Sequence, residues 1–247
     1  MIVFVGLGLE ETEIYRAGLA EVGMTTYAIS DIEFHEWFLS LDFNEKSAIE
    51  TIVVGDCPNK YKSITVIKSK STIPTIAINS SFDTDAMLNL FLSGADDVIA
   101  TDAQSREIIA RIGAIRRRTL APAGFISVGP LQVYFDGRDP EINGEVFVLP
   151  RRERRILEYL AANNSRRVNR SMIFSAVYGL FEEEVEENVV ESHISKLRKK
   201  LKLCLGFDPI DNQRYLGYQL VPKNAAARSI GINPNYHPQE VDAGLAA

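Results

Sequence analysis

Short apolar runs alternate with longer segments of helical periodicity over the first 118 residues. Five runs have the length and composition of buried strands, at 2–5, 25–29, 52–54, 75–78 and 98–99. The intervening and following segments predict five helices, at 10–22, 31–43, 58–69, 83–92 and 105–118. Asp31 is the predicted N-cap of the second helix. Strands that alternate with helices form a parallel sheet with helices on both faces, so the sequence predicts an α/β domain.

The pattern changes after the segment 119–124, TLAPAG, which is a predicted linker. Strand signals at 125–149 are broken by Gly-Pro, Asp-Gly and Asn-Gly pairs, which indicates a small antiparallel sheet with tight turns. Helices are predicted at 150–163, 170–178 and 184–203, followed by strands at 209–212 and 216–221. This order predicts a second domain over 125–221. The remaining residues, 222–247, lack periodicity and are a predicted disordered tail.

The segment 185–201, VEENVVESHISKLRKKL, combines an apolar side with a basic end. Its apolar residues recur at helical spacing and form one face: Val189, Val190, Ile194, Leu197 and Leu201. Basic residues fall elsewhere around the helix: Lys196, Arg198, Lys199, Lys200 and Lys202. Arg214 follows in a predicted hairpin. A basic helix that packs by one side, next to a hairpin with an exposed Arg, is typical of a winged helix that binds DNA.

The overall charge conceals an uneven distribution of basic residues. The chain has 247 residues and a net charge of −6. Residues 1–120 hold 11 Lys and Arg against 17 Asp and Glu, whereas residues 121–224 hold 15 against 14. The basic residues of the second block cluster near 151–155, 166–170 and 196–202. Clustering matters more than net charge for contact with phosphates, so the acidic balance does not exclude nucleic acid.

Several features indicate a cytoplasmic protein without a membrane partner. The chain begins without a basic region and turns acidic at Glu10, which argues against a signal peptide. No apolar run reaches the length of a membrane span. Cys57 and Cys204 lie in different predicted domains, which favours two reduced thiols. His35 and His237 have no companions at metal-ligand spacing, and no nucleophile–base set stands out, so we expect no metal, no cofactor and no enzymatic activity.

Four segments resemble response regulators of the OmpR/PhoB class. In the first half, the resemblance is carried by GADDVIATDAQSREIIARIGAIRRR. In the second half, LPRRERRILEYLAANNSRRVNRSMIFSAVYG, VEENVVESHISKLRKKL and RYLGYQL follow one another in the order and spacing of that class. A fuller resemblance is to the flagellar transcriptional regulators of alphaproteobacteria, the FtcR/Rem type. It implies a flavodoxin-like receiver with a five-stranded parallel sheet at 1–118 and a winged-helix DNA-binding domain at 125–221. The expected function is sequence-specific regulation of transcription on double-stranded promoter DNA, with activation of flagellar genes.

The same resemblance implies a DNA contact for individual residues of the second domain. Ser192 and Lys196 would face base edges in the major groove, and Arg214 would enter the minor groove. Phosphate contacts are implied for Asn188, His193, Arg198 and Lys199. Lys196 stands where relatives often have Arg, and because Lys lacks the planar fork that Arg presents to guanine, a different sequence preference is expected.

Two protein contacts are also implied by the resemblance. The loop 179–184, which carries Phe181 and three glutamates, is where regulators of this class contact RNA polymerase. A homodimer is implied through the face of 83–118, on which four residues stand in the expected places: Asp96, Asp97, Glu107 and Arg111. Asn89 stands where a basic residue normally pairs with Glu107, so apolar contacts are expected to support dimerisation.

The receiver departs from its class at the positions that carry phosphoryl chemistry. Such a domain needs an acidic pair for Mg²⁺, a phosphoacceptor Asp, a hydroxyl and a Lys at the ends of successive strands. Those positions hold Gly6-Leu7-Gly8, Gly55, Asn79 and Thr101-Asp102. Asp56 is a weak candidate phosphoacceptor, because a shift of one residue turns a strand side chain to the other face. We therefore expect a pseudo-receiver that is not phosphorylated and serves dimerisation or regulation.

Three other interpretations remain open at this point. The protein could be a response regulator switched by phosphorylation of Asp56, or its winged helix could bind protein instead of DNA. Gly6-Leu7-Gly8 after the first strand resembles a dinucleotide loop, but Glu11 occupies the place of the third glycine and would repel a phosphate.

Overall fold

The computed structural model describes residues 1–80, 83–119, 124–180 and 185–222. The strands of the N-terminal unit are β1 (Ile2–Val5), β2 (Thr26–Ile29), β3 (Thr51–Val54), β4 (Thr75–Asn79) and β5 (Asp97–Ala100). Its helices are α1 (Leu9–Glu21), α2 (Phe34–Ser40), α3 (Phe43–Ala48), α4 (Lys60–Lys70), α5 (Thr84–Leu92) and α6 (Ser105–Thr119). The strands run parallel in the order β2-β1-β3-β4-β5, which is the flavodoxin-like order and confirms the predicted receiver fold.

The parallel sheet separates two apolar cores. Successive side chains of a strand point to opposite faces. Val3 and Val5 of β1 therefore join the core that contains Phe34, whereas Ile2 and Phe4 join the opposite core. Every residue of β1, β3 and β4 is buried, which explains why the centres of these strands are apolar in the sequence; Thr51, Thr75 and Asn79 are the polar residues at the strand ends.

The prediction of one continuous helix at 31–43 is wrong, because the first helix begins at Phe34 and ends at Ser40. Two helices, α2 and α3, occupy the region, and the chain is extended at Leu41 between them. Asp42 accepts a hydrogen bond from the Glu45 amide (2.8 Å), and the Glu45 carboxylate accepts one from the Asp42 amide (2.7 Å). This reciprocal capping box begins a new helix. Asp31 caps neither helix, since its carboxylate accepts a hydrogen bond from the Asn59 side chain (3.0 Å).

The C-terminal unit has the architecture expected of a winged helix. Its strands are β6 (Phe125–Val128), β7 (Leu131–Tyr134), β8 (Glu141–Ile142), β9 (Glu145–Val146), β10 (Ile210–Gln213) and β11 (Gly217–Leu220). Its helices are α7 (Arg151–Ala162), α8 (Arg170–Tyr178) and α9 (Val189–Leu205). An antiparallel sheet β6-β7-β8-β9 precedes the helices, and β10 and β11 form a separate hairpin after them. The third helix begins at Val189, later than the predicted start at 184, and residues 185–188 form a bend and a turn before it.

The two units pack against each other through α3 and α8. Ala48, at the end of α3, is fully buried in the core of the C-terminal unit. Glu50 lies between the units and pairs with Arg116 of α6 and Arg155 of α7. Arg155 also pairs with Glu158 at 2.5 Å. The result is a buried ionic cluster that joins the receiver to the first helix of the winged helix.

The predicted boundaries at 118, 125 and 221 stay predictions. Helix α6 continues through Thr119, and β6 begins at Phe125. Residues 120–123 of the predicted linker and 223–247 of the predicted tail lie outside the described residues. No helix in the described part of the chain has the length and apolarity needed to span a membrane.

Candidate nucleic-acid interface

Helix α9 presents opposite faces to the core and to solvent. Val190, Ile194 and Leu197 are buried in the core of the C-terminal unit, as is Leu201. At about 3.6 residues per turn, the exposed residues Ser192, Lys196 and Lys199 lie on the opposite side of the helix. Asn188 directly precedes the helix on that side, and its amide donates a hydrogen bond to Glu186 (2.7 Å). The outward face defined by Asn188, Ser192, Lys196 and Lys199 is therefore available to a partner.

The basic residues of α9 divide into two groups by their partners. Arg198 donates to Asp208 at 2.6 Å, and Lys200 donates to the buried carboxylate of Glu153 at 2.8 Å. Lys196, Lys199 and Lys202 are exposed and form no ion pair with any described residue. The sequence places all five cations on one helix without any sign of the two internal pairs; of the two paired residues, only Arg198 was expected to contact DNA. Only the unpaired group keeps its full charge for a polyanion.

His193 lies on the flank of α9 that faces α8. Its ring centroid is 6.5 Å from that of Tyr178, and the side chain is half-buried. Burial, followed by the positive charge of Lys196, lowers the pKa of His193 below its ordinary value. The neutral imidazole is therefore favoured at neutral pH, and this placement suits packing better than a charged contact with phosphate.

The hairpin β10–β11 projects beside α9 and exposes its tip. Tyr215 is 88% exposed and has a positive φ of 67°. The Arg214 guanidinium lies 4.9 Å from the centre of the Tyr215 ring. Arg167 fixes the base of the hairpin, because it pairs with Asp211 and donates to the Gly217 carbonyl (3.2 Å). The wing thus has a rigid base and an exposed cationic tip.

Acidic residues surround the start of α9. Arg170 lies 3.4 Å from Glu187 and 3.1 Å from Glu191, and Ser171 donates to Glu187 at 3.0 Å. These contacts tie α8 to the entrance of α9 and neutralise part of the negative charge there. The unpaired cations of the outward face begin only at Lys196, one turn or more into the helix.

The carboxyl ends of the receiver strands carry a lysine-centred cluster that sequence reasoning missed. The Lys60 ammonium donates to Asp56 (2.6 Å) and to Asn79 (3.0 Å). The Ser80 amide donates to the other carboxylate oxygen of Asp56 at 3.0 Å. Hydrogen bonds from Lys60 and then Ser80 lower the pKa of Asp56. The signal in the sequence was the spacing of Asp56 and Lys60, four residues apart.

Gly55 has no room for a side chain. A Cβ atom there would lie 2.8 Å from the Gly6 carbonyl oxygen, closer than real contacts allow. A phosphoacceptor at this position is therefore incompatible with the loop that follows β1. Among the described residues, no group of three His, Cys, Asp or Glu side chains is arranged to hold a metal ion.

The four residues assigned to dimerisation have partners within the chain. Arg111 bridges Asp97 (3.0 Å) and Glu107 (2.8 Å). Asp96 accepts hydrogen bonds from Lys68 (2.6 Å) and from the Thr75 amide (2.7 Å). Apolar residues of α5 are exposed beside them: Met87, Leu88, Phe91 and Leu92.

Comparison with known proteins adds the following similarities. The family model described as "Transcriptional regulatory protein, C terminal" matches residues 144–220. The flagellar transcriptional regulator FtcR of Brucella abortus is 50% identical over 211 residues, which cover 84% of this chain and 93% of that protein. The two-component response regulator PhoP of Pseudomonas aeruginosa is 35% identical over 130 residues, 51% of this chain and 56% of that protein. The solved structure of response regulator DrrB, a Thermotoga maritima OmpR/PhoB homologue, covers 89% of this chain and 98% of that chain, with 20% identity and a TM-score of 0.38.

Proposed function

The chain belongs to the flagellar transcriptional regulators of the FtcR type, response-regulator-type proteins with a C-terminal DNA-binding domain, and we propose that it binds specific promoter DNA and activates flagellar genes. One observation carries this proposal: the outward face of α9 and the wing tip are both exposed and cationic. Lys196, Lys199 and Arg214 form no ion pair within the described part of the chain. A helix of this kind fits the major groove, and an exposed Arg on a hairpin fits the adjacent minor groove.

Each residue of the outward face has a proposed task. Ser192 and Lys196 read base edges, the role that the family resemblance implies for these two exposed positions. Asn188 and Lys199 hold phosphates and fix the position of the protein on the duplex. Arg198 and His193 flank this face, and the resemblance implies a phosphate contact for each. Arg198 must share its guanidinium between a phosphate and Asp208 to make that contact. Arg214 supplies the minor-groove contact.

The receiver is proposed to work without phosphorylation. Lys60 donates to both the carboxylate of Asp56 and the amide oxygen of Asn79, which places a covalently attached cation at the carboxyl ends of β3 and β4. This arrangement, together with the crowding at Gly55, supports a pseudo-receiver. Its proposed tasks are dimerisation and regulation of the winged helix.

Two protein contacts complete the proposal. Dimerisation is assigned to α5 and its neighbours, because Asp97, Glu107 and Arg111 satisfy one another and leave the apolar residues of α5 as the exposed part of this face. RNA polymerase is assigned to the loop 179–184. Phe181 and the three glutamates lie outside the described residues, while Leu180, just before them, packs against apolar residues of both units.

Binding to promoter DNA tests the proposal directly. Fluorescence anisotropy with a duplex from upstream of a flagellar operon is expected to show weaker binding for Lys196→Ala and for Arg214→Ala, each by about 1–3 kcal/mol. Lys62→Ala, which removes an exposed cation of the receiver, is the charge-matched control and should bind like the wild type. Unchanged binding by the double variant Lys196→Ala/Arg214→Ala would favour a winged helix that binds protein.

Mapping of genomic binding sites tests the target class. Sites upstream of flagellar operons that disappear in the double variant are expected. If the binding sites lie elsewhere in the genome and still disappear in the double variant, the protein binds DNA as proposed but its targets are not flagellar genes.

Intact-mass measurement tests the pseudo-receiver. Incubation with Mg²⁺ and acetyl phosphate should add no phosphoryl group. Addition of one phosphoryl group that is lost in Asp56→Asn would instead establish a phosphorylation-switched regulator.

A further inference from the structure

A cavity of about 920 Å³ lies between the receiver and the winged helix. Its receiver wall consists of α3, the segment 68–74 and the end of α6, and its other wall consists of Phe135 and one side of α7. Small-molecule sites typically measure about 300–1,000 Å³ and occur preferentially between domains. The size and position of this cavity therefore match a ligand site.

The cavity walls carry an excess of positive charge. The basic residues are Lys46, Lys68, Lys70, Arg116, Arg155 and Arg166, and the acidic residues are Glu50 and Glu158. Lys68 is neutralised by Asp96. Lys46 donates only to the Leu41 carbonyl (2.7 Å), and Arg166 donates to the neutral side-chain oxygen of Asn163 (2.8 Å). The charges of Lys46, Lys70 and Arg166 thus have no acidic partner among the described residues.

The two arginines at the floor of the cavity are incompletely satisfied. Arg116 is 7% exposed and Arg155 is 4% exposed; both pair with the carboxylate of Glu50, and Arg155 also pairs with Glu158. Arg116 Nη1 and Arg155 Nε are buried and find no hydrogen-bond acceptor in the described chain. Burial, followed by repulsion from Arg155, lowers the pKa of Arg116 to about 9. An additional negative charge nearby would stabilise both guanidinium groups.

Aromatic side chains line the remainder of the cavity. Phe43, Phe135 and Tyr159 contribute to the walls, and the Arg166 guanidinium lies 5.3 Å from the centre of the Phe43 ring. Arginine binds carboxylate and phosphate through paired hydrogen bonds, and aromatic rings stack on planar apolar groups. The lining thus combines recognition of an anionic group with recognition of a ring.

We propose that this cavity binds a small organic anion in which a phosphate or carboxylate group is attached to a planar apolar ring. Lys46 and Arg166 hold the anionic group from the two walls, and Phe43 and Tyr159 contact the ring. Since each wall belongs to a different unit, the ligand stabilises the packed arrangement of receiver and winged helix over any separated one. The site requires no DNA contact and no phosphorylation, so it stands independently of the function proposed above.

Isothermal titration calorimetry on the full-length protein tests the site. The probes are phenyl phosphate, adenosine monophosphate, benzoate, adenosine and inorganic phosphate. Binding of phenyl phosphate or adenosine monophosphate, with no binding of adenosine, is the result expected for a phosphate ligand. Binding of benzoate in preference to phenyl phosphate would assign the carboxylate class instead.

Paired variants locate the binding. Lys46→Gln/Arg166→Gln should weaken binding of the best probe by about tenfold or more, because charged hydrogen bonds are lost from both walls. Lys62→Gln/Arg106→Gln removes the same charge from exposed receiver positions outside the cavity and should bind like the wild type. Thermal unfolding by circular dichroism verifies that both variants are folded.

Three results would overturn the proposal. They are no detectable heat with any probe at millimolar concentration, equal weakening by the two double variants, and equal affinity for inorganic phosphate and phenyl phosphate. The second would show that charge attraction is nonspecific, and the third would remove the ring from the assignment.

Discussion

Replacement of Glu50 by Gln is expected to destabilise the protein strongly, because two buried guanidinium groups share its carboxylate. The Glu50 side chain is 8% exposed and pairs with Arg116, with Arg155 and with the buried N-terminal ammonium of Met1 (3.0 Å). Removal of one partner from a buried ion pair typically costs about 3–5 kcal/mol. Arg155 keeps Glu158 as a partner at 2.5 Å, so we expect the lower end of this range, about 3 kcal/mol. For a chain of this size, the corresponding fall in Tm is about 6–12 °C.

Thermal and urea unfolding provide the assay. Fluorescence of Trp37, the single tryptophan, reports on the receiver, and circular dichroism reports on both units. Glu21→Gln, which removes an exposed acid from the end of α1, is the matched control and should lie within about 0.5 kcal/mol of the wild type. A double variant, Glu50→Met/Arg116→Met, should recover part of the loss, because it removes the buried carboxylate together with one of its three cationic partners. A Glu50→Gln protein as stable as the control would refute the argument that the cluster stabilises the junction.

Three further changes have defined outcomes. Lys199→Ala should reduce the slope of log Kd against log salt concentration by about 1, because one phosphate contact is lost, and it should still discriminate promoter from unrelated DNA. An unchanged slope would show that Lys199 does not contact phosphate. Gly217→Ala should lower the free energy of unfolding by about 1–3 kcal/mol or more, since φ is +96° and the new Cβ would lie 2.2 Å from the Val168 carbonyl oxygen. Gly144→Ala, at φ +81° with open space around its Cβ, is the control for backbone strain alone. Equal losses of stability in the two variants would contradict the steric argument. Burial lowers the pKa of His193, so the imidazole binds a proton more readily in the unfolded chain than in the folded one. The free energy of unfolding should therefore fall as the pH drops below about 6.5. Urea titrations at several pH values should show a weaker pH dependence for His193→Gln.

The strands and most helices were predictable because their signals are local. The runs at 2–5 and 52–54 coincide with β1 and β3 within one residue, since strands buried on both faces must be apolar throughout. The interruption between α2 and α3 was also encoded locally, by Asp42 and Glu45 in capping-box spacing. The interruption is easily overlooked because apolar residues continue across it at Phe38, Leu41 and Phe43, although the last of these departs from helical spacing.

The candidate site was only partly predictable, because periodicity gives the direction of a side chain but not its partner. The outward position of Lys196 and Lys199 follows from the helical repeat. The pairing of Lys200 with Glu153 joins residues 47 positions apart, and that of Arg155 with Glu50 joins residues 105 positions apart. Neither pair has a signal in a single sequence. These internal ion pairs determine which cations lack an acidic partner. Arg198 was therefore a candidate DNA contact from sequence, whereas the structure pairs it with Asp208.

The receiver packs on the side of the winged helix formed by α7 and α8, while the outward face of α9 and the wing tip remain uncovered. Among the described residues, no part of the receiver covers the outward face of α9 or the wing tip. Under the proposed function, the packed protein can therefore dock on a duplex without first separating its two units. In such a design, occupancy of a promoter follows the number of protein copies in the cell. Under the same proposal, a signal that enters through the receiver would act on the spacing and orientation of docked copies.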